Sequence, residues 1–380
     1  MDRSVLFSLE FSHFNKMGFY LDLSYYLEIG MQTLGKDIAI MTNKIFTLAK
    51  HEIKPGTKQV ILFPAPNINM QVKINIPVHV FHGKKKGPKL FIISAIHGDE
   101  LNSIEIVRRV HEHINLKKLS GTIITLPVAN IHGVIMQTRY LSDKRDLNRS
   151  FPGAKKGTLA ARLAHGIMKQ VVSHCDYGID LHTGALGRMN MPQLRADFTT
   201  PGTKDFAKSF NAPVILNSRQ RDGSLRQAVG KLGIPLIVYE GGEALRFNEL
   251  CIRAGVRGIL SVLHHLKMLP SKDPKIRNKS KSVVTNTSRW LRAPASGLVE
   301  PLKDVFARHV KKGDILANIH DPFLINPSIK VIAPFEGIVI GQALKAMVTE
   351  GDALFHIASF KEIAGVRAYI DEYREEISHQ

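Results

Sequence analysis

Two short motifs bring together the residue types that hold a catalytic metal ion. Residues 95–100 (AIHGDE) place the imidazole of His97 and the carboxylate of Glu100 three positions apart, and residues 180–184 (DLHTG) contain a second imidazole, His182. Two histidines and one glutamate form a three-ligand set for zinc that leaves a fourth position open for water. An open position is typical of a catalytic site, so we predict that these residues bind one Zn2+ per chain.

A metal-activated water also needs a general base, and residues 239–243 (YEGGE) offer two candidates. Glu240 directly follows the apolar run 234–239, so its carboxylate would lie at the end of a buried strand, ready to accept a proton. Glu243 is the competing candidate, and a helix cap or an ion pair is the structural alternative for Glu240. We favour Glu240.

A long irregular segment, residues 129–157, contains side chains that could hold a substrate. Segments of this length inside a compact domain are usually functional. A guanidinium group binds a carboxylate through two hydrogen bonds, and a second guanidinium can stabilise an oxyanion. Arg139 and the pair Asn148-Arg149 are the candidates. We therefore expect a substrate with a free carboxylate, the alternative being that these arginines are solvated surface residues.

The surrounding pattern of elements predicts an α/β fold. Strands are predicted at 71–81, where apolar and polar residues alternate, at 90–93, which is apolar throughout, and at 121–128, 177–182 and 234–239. Helices are predicted at 99–114, 158–171, 224–232 and 248–266. Strands alternating with helices indicate a mixed, mostly parallel sheet flanked by helices. In such a sheet His97, His182 and Glu240 would meet at the carboxyl ends of strands.

Beyond residue 290 the chain contains an internal repeat. The segment 293–299 (APASGLV) is echoed by 333–339 (APFEGIV), and 310–316 (VKKGDIL) by 348–354 (VTEGDAL). A duplicated set of short strands predicts a small all-β barrel-sandwich domain that resembles the biotinyl/lipoyl fold. The hairpin region 320–328 has no lysine, so we expect a structural unit or a wall of the active site and not a carrier.

These patterns divide the chain into five parts. The polar and basic composition of the segment before residue 290 is typical of a linker. We predict an N-terminal extension (1–44), a zinc-dependent catalytic domain (45–270), a linker (271–289), the biotinyl/lipoyl-like β domain without a carrier lysine (290–360) and a C-terminal tail (361–380).

Composition excludes several classes of protein. The 380 residues have a formal net charge of +19 and include only two cysteines. Two cysteines exclude a disulfide framework and fit a reducing compartment. The charge would suit a nucleic-acid binder, but no arginine-rich arm or base-stacking pattern accompanies it. No apolar stretch has the length of a membrane span, and no signal peptide is evident. We expect a cytoplasmic protein with a small-molecule partner, neither a membrane nor a specific nucleic acid, and leave homo-oligomer formation open.

In combination, the motifs resemble the succinylglutamate desuccinylase/aspartoacylase family, a branch of the zinc carboxypeptidase superfamily. Four pieces occur in order, namely HGDE at 97–100, DLNR at 146–149, DLHTG at 180–184 and the segment around Glu240. The resemblance covers residues 45–354 and implies a zinc carboxypeptidase-like fold. It further implies zinc-dependent hydrolysis of the amide bond of an N-acyl amino acid or a related small carboxylate, through a zinc-activated water.

The resemblance also implies a role for each candidate residue. It implies that the zinc ligands are His97, Glu100 and His182, and that Glu240 is the general base. It also implies that Arg139 polarises the scissile carbonyl. The substrate carboxylate would be bound by Asn148 and Arg149. Residues 143–145 lengthen the segment between Arg139 and Asn148, so Arg145 competes for the carbonyl role. The alternative function is a metallocarboxypeptidase that releases a C-terminal amino acid from a peptide. The non-enzymatic alternative is a basic binding protein whose metal site has been lost.

Overall fold

A computed structural model describes residues 42–66, 74–185, 187–270, 282–301 and 306–360, together with the single positions 365, 366, 370, 371, 373 and 375. The predicted N-terminal extension, apart from residues 42–44, and the predicted linker up to residue 281 lie outside the described residues. Residues 282–289 of that linker contain a short strand and the start of another. Within the described ranges, no helix has the length and apolarity needed to cross a membrane.

Five described strands precede the first described helix, strands and helices are then interspersed up to residue 265, and only strands follow in the stretch 282–360. The described strands are β1 (Phe46–Leu48), β2 (His51–Ile53), β3 (Thr57–Pro64), β4 (Asn75–His82), β5 (Lys85–Ser94), β6 (Ser120–Leu126), β7 (Tyr177–Gly184), β8 (Arg188–Ala196), β9 (Val214–Asn217), β10 (Leu236–Glu243), β11 (Val283–Thr285), β12 (Thr287–Arg292), β13 (Gly297–Pro301), β14 (His309–Val310), β15 (Ile315–His320), β16 (Ile329–Ile332), β17 (Gly337–Ala343), β18 (Met347–Val348) and β19 (Ala353–Ser359). The described α-helices are α1 (Asn102–His113), α2 (Ile131–Ile135), α3 (Leu159–Gln170), α4 (Thr203–Ser209), α5 (Leu225–Gly230) and α6 (Glu249–His265).

Parallel strands in the order β6-β5-β7-β10 form the centre of the large sheet. The apolar run in β5 is buried on both faces, as its composition predicts. Leu90 and Ile92 pack into the cluster that includes α1, α4 and α6, whereas Phe91 and Ile93 pack into the cluster that includes α3 and α5. Because helices cover both faces, the strand needs apolar residues at every position.

The prediction of a mostly parallel sheet is wrong. Among the described strands of the large sheet, five pairings are parallel and seven are antiparallel. Parallel neighbours need a long crossover connection, usually a helix. Only residues 185–187 separate β7 from β8, so β8 runs back and pairs antiparallel with β10. On the other side, β3 and β4 form an antiparallel pair that extends the sheet beyond β6.

The C-terminal repeat forms a two-sheet sandwich with internal two-fold correspondence. β13 pairs with β15 and β18, and β17 pairs in the equivalent way with β19 and β14. In the two Gly-Asp turns, Asp314 accepts a hydrogen bond from the N–H of Lys311, and Asp352 accepts one from the N–H of Thr349. An apolar cluster lies between the two layers. One layer is continuous with the large sheet because β17 pairs with β8.

Candidate functional site

The three predicted metal ligands converge where β5 and β7 end. His97 follows β5, Glu100 lies in the turn before α1, and His182 lies in β7. One carboxylate oxygen of Glu100 is 2.7 Å from His97 Nδ1, and the other is 2.7 Å from His182 Nδ1. The two Nδ1 atoms are 3.2 Å apart, although the histidines are 85 positions apart in the chain. All three side chains are buried.

Gly98 allows the turn between His97 and Glu100 to lie in close contact with another backbone segment. A Cβ atom at position 98 would lie 1.9 Å from the carbonyl carbon of Gly133, which is in α2. Any side chain would push the turn away from α2 and move His97 and Glu100 with it. The glycine is therefore required by close backbone approach.

Two aspartates lie at the far nitrogens of the histidine rings. His97 Nε2 is hydrogen-bonded to Asp146 Oδ1 at 3.2 Å. His182 Nε2 lies 3.0 Å from Asp180 Oδ2. Carboxylates at the outer nitrogens orient such rings so that the inner nitrogens face a metal. Asp146 and Asp180 are therefore positioning residues for the cluster.

The cluster is electrostatically coupled. Burial alone would lower the pKa of His97, but the carboxylates of Glu100 and Asp146 outweigh it and raise that pKa above its usual value. Burial would likewise lower the pKa of His182, but Asp180 and Glu100 raise it well above the usual value. Burial would raise the pKa of Glu100, yet the two imidazoles hold it well below its usual range. Positive charge is thus stabilised at this point of the interior.

The donor set fits a zinc ion. One ligand atom from each of His97, Glu100 and His182 lies within 4.8 Å of the others. Two imidazole nitrogens and a carboxylate oxygen are ligands that zinc commonly takes. The facing Nδ1 lone pairs repel each other at this separation unless a proton or a cation lies between them. A divalent cation would satisfy both nitrogens and the carboxylate at once.

Glu240 lies beside His182 on the neighbouring strand. The two residues are register partners in the parallel pair β10–β7, so their side chains project from the same face of the sheet. Asn190 Nδ2 donates to one carboxylate oxygen of Glu240 at 2.8 Å, and Arg195 Nε donates to the other at 3.2 Å. Glu243, the competing acid, does not line the cavity that contains the histidines and lies 3.9 Å from Arg246 instead.

Arg139 reaches the cluster, whereas Arg145 does not. Arg139 donates to Asp146 Oδ2 through Nε and Nη2, at 3.2 and 2.9 Å, and to Glu100 Oε1 through Nη1 at 3.4 Å. The Arg145 side chain is 60% exposed and lies next to Asp143. Of the two competitors for the carbonyl role, Arg139 is the one inside the cavity.

A cavity of about 480 Å³ contains the cluster, Glu240 and the predicted substrate-binding pair. Asn148 Oδ1 accepts the N–H of Leu225, and Arg149 Nη1 donates to the carbonyl oxygen of Asn148. The lining includes four acids (Glu100, Asp146, Asp180 and Glu240) and seven arginines (Arg139, Arg149, Arg188, Arg195, Arg219, Arg221 and Arg226). The cavity is thus suited to an anionic ligand.

Comparison with protein families gives one match that spans this site. The family model for the "Succinylglutamate desuccinylase/Aspartoacylase catalytic domain" matches residues 86–266, which include the three clustered ligands and Glu240. Residues 86–266 belong to this family. The resemblance inferred from the motifs is therefore confirmed.

Individual proteins are similar to this chain over most of its length. The N-alpha-acetyl-L-2,4-diaminobutyric acid deacetylase of Halomonas elongata is 23% identical over 306 residues, which are 77% of this chain and 88% of that protein. A family member of known structure from Rhodobacter sphaeroides is 24% identical, with a TM-score of 0.70 over 80% of this chain and 96% of its own. The product-bound ectoine utilization protein EutE of Ruegeria pomeroyi is 22% identical, with a TM-score of 0.71 over 79% of this chain and 95% of its own. At these identities the two structures establish the shared fold.

Several cavity residues lie outside the set predicted from the sequence. Asp180 could have been predicted from the sequence, because it precedes His182 by two positions on a strand and its side chain must lie on the same face of the sheet. Asp146 begins the DLNR motif but was not assigned a role. No local signal identified the remaining polar residues, whose strands and loops meet only after folding; they include Asn190, Arg188, Arg195, Arg221 and Arg226.

Substitution Asp146→Asn is expected to weaken zinc binding roughly 10- to 100-fold, the usual effect of removing a carboxylate behind a metal-binding histidine. The amide keeps the shape but loses the charge that orients the imidazole of His97. Zinc affinity would be measured by competition with a chelator. Asp143→Asn in the same loop is the matched control, since Asp143 bonds backbone N–H groups and does not line the cavity. Equal affinity in both variants would refute the positioning role.

Proposed function

We propose that this chain is a zinc-dependent deacylase that hydrolyses the amide bond of an N-acyl amino acid or a related small carboxylate. The main support is the position of Glu240, in register with His182 and inside the same arginine-lined cavity. The family match and the deacetylase relative support the same class of reaction. They do not support the carboxypeptidase alternative.

Under this proposal, Asn148, Arg149 and Arg139 bind the substrate. The Asn148 amide nitrogen and most N–H groups of Arg149 remain available for the carboxylate of the amino acid, because only Asn148 Oδ1 and one Arg149 nitrogen are engaged. Arg139 uses three of its five N–H groups on Asp146 and Glu100. The remaining two can donate to the carbonyl oxygen of the scissile amide and stabilise its developing negative charge.

Glu240 moves the proton. A zinc ion held by His97, Glu100 and His182 would supply Lewis-acid polarisation and a water of lowered pKa. Each Glu240 oxygen already accepts one hydrogen bond and keeps a lone pair for a further proton. The carboxylate takes a proton from the attacking water and gives it to the departing amine nitrogen. Asn190 and Arg195 hold the carboxylate in one orientation through both steps.

The cellular setting is part of the proposal. Both cysteines are free and buried, the state expected in a reducing compartment, and we place the enzyme in the cytoplasm. Its partner would be a small anionic molecule and neither nucleic acid nor a membrane.

The proposal is tested by product analysis on protein of measured zinc content. We expect about one zinc per chain, set by the single three-ligand cluster among the described residues. N-acetyl and N-succinyl amino acids should yield the free acid and the free amine, detected by mass spectrometry, while dipeptides should remain intact. Dipeptide hydrolysis without deacylation, or full activity after removal of zinc, would refute the proposed function.

A further inference from the structure

A second cavity lies at the opposite end of the parallel strands from the catalytic cluster. It has a volume of about 400 Å³ and is lined by the first residues of β5 and β6, the turn that follows α1, and the segment that follows α6. β5 runs from Lys85 at this cavity to Ser94, three positions before His97. At about 3.3 Å per residue, the length of this strand separates the two cavities by roughly 30 Å. The second cavity is therefore distinct from the catalytic one.

Lysine side chains dominate the polar lining of this second cavity, which we call the lysine cavity. The four lysines are Lys85, Lys117, Lys118 and Lys267. They belong to three segments that are far apart in the chain, so only folding brings them together. His264 adds an imidazole and Ser120 adds a hydroxyl group. Among the described residues, no acidic side chain and no arginine lines this cavity.

The four ammonium groups have no counter-charge. Within the described ranges of the chain, no carboxylate pairs with any of them, whereas Lys89 Nζ in β5 lies 3.8 Å from Asp176. The structural alternative is that the lysines complement the end of α6, because a helix C-terminus carries a partial negative charge of about half an elementary charge. That partial charge is too small to balance four ammonium groups. A positive excess therefore remains for an anion from solution.

Backbone hydrogen bonds fix the segment that carries Lys267. The N–H of Lys267 donates to the carbonyl oxygen of His264 at 2.9 Å, and the N–H of Met268 donates to that of Leu263 at 2.8 Å. The Met268 carbonyl oxygen in turn accepts the N–H of Ser120 at 2.9 Å. Lys267 has a φ of 56°, at a position after the helix end that glycine commonly occupies. The backbone of the lysine cavity is thus preformed, and a ligand has to order only side chains.

The two cavities differ in the kind of positive charge that lines them. Seven arginines and no lysine line the catalytic cavity, whereas four lysines and no arginine line the lysine cavity. The planar fork of arginine matches a planar carboxylate through two hydrogen bonds. An ammonium group is a compact point charge with three rotatable donors, and it binds phosphate without needing a planar partner. The lysine cavity is therefore suited to phosphate groups.

We propose that the lysine cavity binds a small molecule that carries two or more phosphate groups. One phosphate group has a charge of about −1.5 to −2 at pH 7, so two are needed to balance four ammonium groups. The volume lies within the range of roughly 300–1,000 Å³ that is typical of small-molecule sites. An enclosed volume of this size favours a small molecule over the extended backbone of a nucleic acid. The inference goes beyond the proposed deacylase reaction and does not depend on it.

Lysine acetylation at increasing concentrations of inorganic diphosphate tests the proposal. The zinc-loaded protein is labelled with an acetylating reagent, and peptide mass spectrometry gives the extent of labelling at each lysine. We expect protection with one common midpoint at Lys85, Lys117, Lys118 and Lys267. No described lysine lines the catalytic cavity, so diphosphate bound there does not contribute to this readout. Orthophosphate should need a concentration ~10-fold higher or more. Equal midpoints for the two anions would overturn the requirement for two phosphate groups.

Lys85→Gln and Lys267→Gln should each raise the diphosphate midpoint of the remaining lysines roughly tenfold, the effect of losing one charge-assisted hydrogen bond. Both side chains are exposed, so the fold should not depend on them. The two residues lie on different segments, and both should matter if one ligand contacts both. An unchanged midpoint in either variant would refute the proposal.

Lys86→Gln is the matched control for the loss of one lysine. Lys86 is exposed and does not line the lysine cavity, and as the neighbour of Lys85 in β5 it projects from the other face of the strand. Its diphosphate midpoint should equal that of the wild type. An increase as large as in Lys85→Gln would show a general attraction by positive charge, and the specific site would then be wrong.

Two further measurements separate this inference from the proposed function and from nucleic acid binding. His182→Ala should keep the diphosphate midpoint of the wild type, so failure of the deacylase proposal would leave the lysine cavity intact. A higher midpoint in His182→Ala would tie diphosphate binding to the metal site and overturn the separate cavity. A short DNA oligonucleotide should protect the four lysines no better than diphosphate does. Stronger protection that includes Lys86 would overturn the small-molecule ligand in favour of nucleic acid.

Discussion

Substitution Glu240→Gln is expected to lower kcat by roughly 10²- to 10⁴-fold, the contribution typical of a general base. The amide retains the size of the side chain, and its single oxygen can still accept one of the two hydrogen bonds that Asn190 and Arg195 donate to Glu240, but it cannot take a proton at neutral pH. KM should change little, because Glu240 acts on the attacking water. Steady-state kinetics with an N-acyl amino acid and zinc analysis of the same sample would measure both effects.

Glu243→Gln is the matched control for this experiment. Glu243 is also in β10 but lies next to Arg246 and not in the cavity. Its kcat should remain close to that of the wild type. The zinc content of both variants should be unchanged, since neither acid belongs to the ligand cluster. A Glu240→Gln enzyme within threefold of wild-type kcat, or a greater loss in Glu243→Gln, would exclude Glu240 as the base.

Substitution His182→Ala is expected to abolish turnover and to weaken zinc binding by more than the roughly 10- to 100-fold that an outer partner contributes. The variant loses one of the three facing donors and leaves Asp180 and Glu100 buried with less compensating charge. A ligand that binds only the folded state raises thermal stability in proportion to its occupancy. Addition of zinc should therefore raise the Tm of metal-free wild-type protein and leave the Tm of His182→Ala almost unchanged.

His113→Ala controls for the loss of a histidine. His113 is exposed at the end of α1, away from the cluster. Its zinc affinity, Tm shift and turnover should match those of the wild type. A full zinc-dependent Tm shift in His182→Ala would show that zinc binds elsewhere, and the three-residue metal site would then be wrong.

Short-range features of the chain were predictable from the sequence. Thr158 caps α3 by accepting the N–H of Ala161, and the two Gly-Asp turns of the repeat make equivalent hydrogen bonds. These interactions span three residues, so residue types at fixed spacing specify them. The predicted helix at 99–114 is instead Asn102–His113, because residues 97–101 form the turn that holds two of the clustered side chains.

Strand pairing was less predictable because it depends on partners far apart in the chain. The same apolar run is compatible with a parallel or an antiparallel neighbour. The length of the connection decides between them, and the strand β8 was not predicted. The pairing of β17 with β8 joins the C-terminal sandwich to the large sheet. The local pattern of apolar and polar residues does not predict this pairing.

The sequence alone identified the candidate residues of the site, because His97, Glu100, His182 and Glu240 occur in motifs whose residue types limit the chemistry they can do. The tertiary structure decided which similar side chains share the cavity. Arg139 enters it and Arg145 does not, although both lie in one loop. Arg188 and Trp290 meet across 102 positions of chain through strand pairing and ring stacking. The reason is physical: residue type and spacing set bonding capacity locally, whereas proximity between distant segments results from packing of the whole sheet.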